Sequence, residues 1–187
     1  MQTTKTLKTR LRALLMAGLL ALALTACGGD NGGGQASNPS TAPTPSAPAT
    51  LTAEEYIAEL DTLNSAAGDF VNVTNSAMAT ISTASATGDT EAMREAVEEI
   101  RSSIAPFQEF AAINNPPQEY AEAHAKIVEG CNGFATGIDT YCTALIRVID
   151  GEDVDLDAIT SEYTDATTDA ATLMSEGVSM AQEIANG

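Results

Sequence analysis

The sequence predicts an all-α protein in which residues 52–187 form an up-down-up-down antiparallel four-helix bundle. Apolar residues recur at spacings of three and four in four long segments, the pattern of helices that each bury one face. Short stretches rich in glycine, proline and acidic residues separate the segments, so consecutive helices should be antiparallel neighbours. The period-two alternation typical of strands is nearly absent. The helices are expected at about 53–86, 90–113, 117–149 and 155–185.

The first helix has recognisable start and stop signals. It should begin at "TAEE", because the Thr52 side chain can cap the first turn and Glu55 can bond back to Thr52. It should end at Gly88, since glycine suits a C-terminal cap. Asp89 or Thr90 is then positioned to cap the second helix.

The later helix boundaries depend on proline and aspartate. Pro106 lies inside the second segment and should kink that helix or break one turn, because proline lacks the backbone N–H. The third helix should follow "NNPP" at residues 114–117, since proline is accepted in a first turn. Asp155, after the turn "DGEDVD", is expected to cap the fourth helix.

Residues 1–26 have the organisation of an export signal. A basic N-terminal region precedes an apolar run at 13–24, which is too short to span a membrane comfortably. "LTAC" at residues 24–27 then resembles the lipobox of bacterial lipoproteins at all four positions. The resemblance implies cleavage before Cys27, a diacylglycerol thioether on Cys27, and anchoring at the extracytoplasmic face of the bacterial cell membrane. Two acyl chains on one residue would be enough for stable anchoring.

Residues 27–51 are expected to be the lipidated cysteine and a flexible linker. The stretch is glycine-rich at first and then alternates proline with serine, threonine and alanine. This composition cannot bury a core and favours extended conformations. The Ser/Thr/Pro pattern also resembles an O-glycosylation substrate, with a bare spacer as the simpler interpretation.

The charge of the processed chain limits its partners. Removal of the signal leaves four basic residues against 26 acidic ones, so the net charge is 4 − 26 = −22. Such a surface repels nucleic acid and anionic lipid headgroups, and it attracts cations or basic partners. The same acidity could also serve only to keep a surface protein soluble.

Two cysteines lie in the third segment, where a disulfide would be allowed outside the cytoplasm. In a continuous helix Cys131 and Cys142 lie roughly 16 Å apart along the axis, whereas a disulfide needs Cα atoms within about 7 Å. The three-four pattern continues through the stretch, so we expect two unpaired, buried thiols. A break at the local glycines, or a crosslink between molecules, is the alternative. In the continuous helix Gly130, Gly133 and Gly137 share one side, where a neighbouring helix could approach closely.

The sequence assigns no metal and no cofactor. A di-metal carboxylate site needs two histidines and covalent haem needs Cys-x-x-Cys-His, whereas this chain has one histidine and lacks that motif. His124 and Met180, expected at a similar level of the bundle, are the candidate ligands for non-covalent haem, with a hydrogen-bonded core histidine as the simpler interpretation. The acidic turn Asp150–Asp157 could collect Ca²⁺ but lacks the spacing of a calcium loop.

No catalytic residue is assigned either. His124 and Cys131 lie about 10 Å apart along one helix, beyond hydrogen-bond reach. We therefore interpret the protein as a non-catalytic lipoprotein, an interaction or binding module at the cell envelope. Its expected partners are the membrane, through the lipid on Cys27, and an envelope protein or small ligand, with nucleic acid excluded by charge.

An alternative is a carrier or sensor of a small ligand or metal ion held between the helices. Small residues on the apolar faces could leave an internal pocket for such a ligand. These residues are Ala67, Ala166, Ala170 and Gly177. A hydrolase is the third possibility, but it would need a second base that the sequence does not supply.

Overall fold

The structure, a computed structural model, describes residues 50–186. This part of the chain is helical and contains no strand, which confirms the all-α class. The expected signal peptide, the lipobox-like stretch and the expected linker up to residue 49 lie outside the described residues, as does Gly187. None of the described helices combines the length and the apolarity needed to cross a membrane.

The helices are labelled here in chain order. They are α1 (Ala53–Thr87), α2 (Thr90–Ser102), α3 (Ala105–Ala111), α4 (Ala121–Ile149) and α5 (Leu156–Asn186), and a 3₁₀ turn (Gln118–Tyr120) precedes α4.

The expected caps are present. The Glu55 backbone N–H donates to the Thr52 hydroxyl at 3.2 Å, and the Thr52 N–H donates to the Glu55 carboxylate at 2.8 Å, which completes the capping box. Gly88 ends α1 with φ +79°, a left-handed conformation that glycine adopts without steric cost. Asp89 and Asp155 accept hydrogen bonds from the first turns of α2 and α5. Local side-chain chemistry therefore sets these ends.

The second expected helix, 90–113, is interrupted. It is divided into α2 and α3, with residues 103–104 in a turn between them and Pro106 in the first turn of α3. Since Pro106 has no N–H, it cannot bond the carbonyl of Ser102, and the break falls one turn before the proline. The third expected helix, 117–149, likewise begins with the 3₁₀ turn before the α-helix starts at Ala121.

Helix α4 is central to the core and packs against α2, α3 and α5. Three phenylalanines from α1, α3 and α4 form the aromatic centre of the core. The ring centroids of Phe134 lie 4.9 Å from Phe70 and 4.7 Å from Phe107, and all three side chains are buried. Burying aromatic rings contributes strongly to stability because each removes a large apolar area from water.

Ion pairs connect α4 with its neighbours at the surface. Arg101 of α2 contacts Asp139 at 2.9 Å. Arg94, seven residues earlier on the same helix, contacts Asp150 at the end of α4. Lys126 of α4 contacts Glu176 of α5 at 2.7 Å. The pairs are partly exposed, so each contributes little to stability, but they mark which residues of neighbouring helices lie side by side.

Candidate functional site

A groove of about 440 Å³ opens between α4 and α5 and is the strongest candidate for a binding site. The α4 wall contains Gly133, Gly137 and Tyr141, and the α5 wall contains Glu162 and Tyr163. The volume falls within the range of ligand pockets in proteins. None of the residues lining this groove is among the candidate catalytic, metal or haem residues that the sequence indicates. The glycine and tyrosine spacing was the available signal, but in sequence it is indistinguishable from a core-facing stripe.

The floor of the groove is made by glycines that have space around them. A Cβ atom built on Gly133 would meet only the Ala170 Cβ, at 3.6 Å, and one on Gly137 would meet the Ala166 Cβ at 3.4 Å. Both are ordinary van der Waals contacts, so packing between the helices tolerates a side-chain carbon at these positions. The absence of side chains here deepens the groove.

Two other glycines hold α4 and α5 in close contact. A Cβ on Gly130 would lie 2.7 Å from the backbone oxygen of Ala170, and one on Gly177 would lie 2.7 Å from that of Ala123. Both distances are too short for carbon against a fixed carbonyl. The close approach predicted at the α4 glycines is therefore present at Gly130, but not at Gly133.

The internal pocket expected around small residues is absent at two of them. Gly177 and Ala170 lie in the close contact between α4 and α5, where they fill space rather than leave it. Ala67 is buried in the core on α1, and Ala166 borders the groove. Small residues on helices that approach closely are packed by the neighbouring backbone, so their size alone does not create a cavity.

Two stacked tyrosines line the groove. The rings of Tyr141 and Tyr163 are 4.5 Å apart with an interplanar angle of 27°. Burial, reinforced by Tyr163 and Cys142, raises the pKa of Tyr141 above its ordinary range, and burial likewise raises the pKa of Tyr163. Both phenols are therefore neutral at physiological pH and give the groove a polarisable, poorly solvated wall.

The groove has one charged lining residue, Glu162, which is exposed. The four basic residues of the described chain each pair with other carboxylates: Arg94 with Asp150, Arg101 with Glu98 and Asp139, Lys126 with Glu176, and Arg147 with Glu152. None of them neutralises Glu162, so the groove carries a negative charge.

Of the two candidate haem ligands, His124 has both ring nitrogens in hydrogen bonds. The Nε2 atom of His124 donates to the carbonyl oxygen of Ile113 at 2.9 Å, and Nδ1 lies 3.3 Å from the Tyr56 hydroxyl. With both ring nitrogens in hydrogen bonds, the buried His124 joins α1 and the segment after α3 to α4, while Met180 is only partly buried. The simpler interpretation, a hydrogen-bonded core histidine, fits the structure.

The acidic turn forms a second, more polar concavity. About 460 Å³ of space is lined by Asp153, Val154, Asp155, Leu156 and Asp157. Within residues 50–186, no three His, Cys, Asp or Glu side chains are placed to hold a metal ion together. Asp155 already accepts a hydrogen bond from Ala158 as the α5 cap. These contacts describe a capped turn rather than a calcium loop.

The two thiols are buried and free, as the continuous third helix predicted. Burial raises the pKa of both Cys131 and Cys142 to about 12, and the nearby Arg101 only partly offsets this for Cys142. Cys131 also contacts the sulfur of Met174 at 3.8 Å. Thiols that remain protonated in an apolar core behave as small hydrophobic side chains rather than as nucleophiles.

Comparison with protein families, with curated proteins and with solved structures finds no match to this chain.

Proposed function

We propose that the protein is a non-catalytic lipoprotein of the bacterial cell envelope whose acidic helical domain acts as a binding module. The observation that carries the proposal is "LTAC" at residues 24–27, directly after an apolar run of secretory length. Cys27 would carry the lipid, and residues 27–51 would hold the domain away from the extracytoplasmic face of the membrane.

The domain is proposed to be an up-down-up-down antiparallel bundle. The contacts between α4 and α5 support an antiparallel pair. Ala123, near the start of α4, faces Gly177, whereas Gly137, later in α4, faces the earlier α5 residue Ala166. The ion pairs between α2 and α4 support the same orientation, because Arg94 pairs with Asp150 while the later residue Arg101 pairs with the earlier Asp139. Such a bundle is rigid enough to present a surface without moving parts.

A binding role is favoured over catalysis by the state of the reactive groups. The histidine has both ring nitrogens in hydrogen bonds, and burial keeps both thiols of the described residues protonated. General acid–base and nucleophilic catalysis need such groups accessible and near their working protonation state.

A carrier or sensor of a small ligand is the second candidate. The α4–α5 groove favours it, because its volume of about 440 Å³ matches that of small-molecule sites. The ligand would then lie at the surface between two helices, not in the interior of the bundle.

Replacing Cys27 by alanine tests the anchoring. If Cys27 carries the lipid, Cys27→Ala should move the protein from the membrane fraction to the soluble fraction of expressing cells. Unchanged membrane association of the variant would overturn the lipoprotein assignment. Native mass spectrometry of the wild-type protein extracted with detergent then separates the two candidate functions, because a carrier would retain a stoichiometric small mass beyond the chain and its lipid.

A further inference from the structure

We propose that the groove between α4 and α5 binds an arginine side chain presented by an extended segment of a partner protein. The proposal rests on the binding-module function above and names the chemistry of the partner. Three independent observations support it. Two concern the groove itself, namely its aromatic and carboxylate groups and its glycine floor, and the third is the distribution of charge in the rest of the chain.

The groove has the groups that recognise a guanidinium. Tyr163 stacks on Tyr141 with 4.5 Å between the ring centroids, and Glu162 precedes Tyr163 in the chain and lines the same groove. A guanidinium can lie on an aromatic face and also bond a carboxylate through its planar fork of donors. An ammonium lacks that planar geometry, so arginine suits the pair better than lysine.

Helix stability does not explain why the floor of the groove carries glycines. A glycine inside a helix costs about 1 kcal/mol relative to alanine. At Gly130 and Gly177 the close helix contact requires that cost, but at Gly133 and Gly137 a Cβ would make only ordinary contacts. Both of these unconstrained glycines line the groove. The groove is deeper because these two residues lack side chains, and alanine at either position would make it shallower.

The arginine must come from another molecule. The four basic residues within residues 50–186 already contact carboxylates, and residues 28–49 contain no lysine or arginine. The linker therefore offers no basic side chain to Glu162, and a basic residue of a second copy would first have to leave its carboxylate partner. A processed chain with a net charge of 4 − 26 = −22 would attract a basic partner over a long range.

An extended peptide fits the groove better than a free small cation. The groove is partly open to solvent rather than fully enclosed. Thr136 and Thr140, both exposed, line the α4 wall and offer hydroxyl groups one helical turn apart. Hydroxyl groups in a row can both donate to and accept from the backbone of a bound peptide, whereas a free ammonium can only donate to them.

Peptide binding to the full protein in detergent tests the proposal. The probe is a fluorescein-labelled peptide of alternating alanine and arginine, titrated at low salt and followed by fluorescence anisotropy. Glu162→Gln should weaken binding about tenfold, as expected for loss of one charged hydrogen bond. Glu59→Gln removes the same charge from an exposed position on α1, outside the groove, and should change the affinity less than twofold.

Filling the groove gives a second test that leaves the charge unchanged. Gly133→Leu should reduce peptide binding at least tenfold, because its side chain would occupy the floor. Gly68→Leu on α1, where a Cβ meets nothing within 4 Å, is the matched control and should bind like the wild type. Circular dichroism melts show whether each variant is folded.

Other outcomes would overturn the proposal. Absence of peptide binding, or equal weakening by Glu162→Gln and Glu59→Gln, would mean that the groove is not the site. Spermine competing as strongly as the arginine peptide, or a lysine peptide binding equally well, would exclude selective recognition of a peptide arginine. Because these measurements do not depend on anchoring, their failure is distinguishable from failure of the Cys27→Ala experiment.

Discussion

Along the α4–α5 pair, the contact at Gly130 and Gly177 differs from the groove at Gly133 and Gly137. At the first pair, a Cβ would lie 2.7 Å from a carbonyl oxygen of the facing helix. At the second pair, the nearest facing atoms are methyl carbons at 3.4 Å or more. The same residue type thus brings two backbones together at one place and leaves a surface depression at the other.

This difference teaches that glycine in a helix must be interpreted through what faces it. Where a carbonyl of the facing helix lies within van der Waals distance, glycine is a packing requirement, and its conformational cost is offset by close helix contact. Where only methyl groups face it, close helix packing does not offset that cost, and the visible consequence of the missing side chain is a deeper surface groove. Substitutions at the two sites should therefore change stability in opposite directions.

The largest expected effect is on the alkylation rates of two buried thiols, one beside each of these regions. Cys131 lies beside Met174 in the close contact, and Cys142 lies near Tyr141 and Tyr163 under the groove. With both pKa values raised from 9.0 to about 12, the thiolate fraction at pH 8 falls about a thousandfold. Alkylation by iodoacetamide should therefore be much slower in the folded protein than in urea-unfolded protein, because the thiolate is the reactive form. Peptide mapping of the alkylated sites measures each thiol separately. Rapid reaction of Cys142 alone would mean that the groove region opens in solution.

The same pKa shifts predict how stability depends on pH. Below pH 9 the thiols are protonated in both states, so the stabilisation from burial is fully present. Between pH 9 and about 12 the unfolded chain releases thiol protons that the folded chain retains, and the free energy of unfolding should fall by about 1.4 kcal/mol per pH unit for each thiol. Urea titrations at pH 8, 9 and 10 measure the slope. The Cys131→Ala/Cys142→Ala variant should lose most of this slope, and an unchanged slope would contradict thiol burial.

A smaller effect is expected where the helices touch. Gly130→Ala and Gly177→Ala should each lower the free energy of unfolding by about 1–3 kcal/mol, because the new Cβ displaces a facing carbonyl and helix propensity recovers only part of the loss. Urea denaturation followed by circular dichroism measures the change. A stabilised variant would show that α4 and α5 stand further apart than the structure places them.

The smallest effect, with the opposite sign, is expected at the groove floor. Gly133→Ala should raise the free energy of unfolding by about 0.5–1 kcal/mol, since alanine favours the helix and its Cβ makes an ordinary contact with Ala170. Gly68→Ala, where a Cβ has open space, should give a similar gain and calibrates the propensity term. If Gly133→Ala destabilises the protein while Gly68→Ala stabilises it, the groove floor is packed and the contrast between the two regions fails.

Much of the fold could be predicted because its signals are local. Thr52, Asp89 and Asp155 bond backbone groups within three residues, and Gly88 and Pro106 act on their own helical turn. Such effects depend on side-chain chemistry and chain geometry, which the sequence contains in full. The exact break between α2 and α3 does not follow from the sequence, because a proline can either bend a helix or interrupt it depending on the surrounding packing.

The candidate site could not be predicted in the same way. Gly130, Gly133 and Gly137 look alike in the sequence, and their different roles depend on which atoms of α5 face each one. Tyr141 and Tyr163 occupy core positions by spacing, and only their mutual stacking places them at a groove. The sequence favours a hydrogen-bonded histidine at position 124 over a haem ligand, but it does not identify the two partners, Tyr56 and Ile113, which come from other segments.

The sequence by itself determined the helical class, the capped helix ends at Thr52, Gly88, Asp89 and Asp155, the acidity and the impossibility of pairing Cys131 with Cys142 along one continuous helix. Periodicity, capping and helical rise all act within a segment. Only the tertiary structure decided which glycines touch a facing backbone, where the groove lies and which acidic residues remain without a basic partner at the groove. Those properties depend on the distance and rotation between α4 and α5. That geometry is set by the summed packing of many side chains from different segments, which no single stretch of sequence specifies.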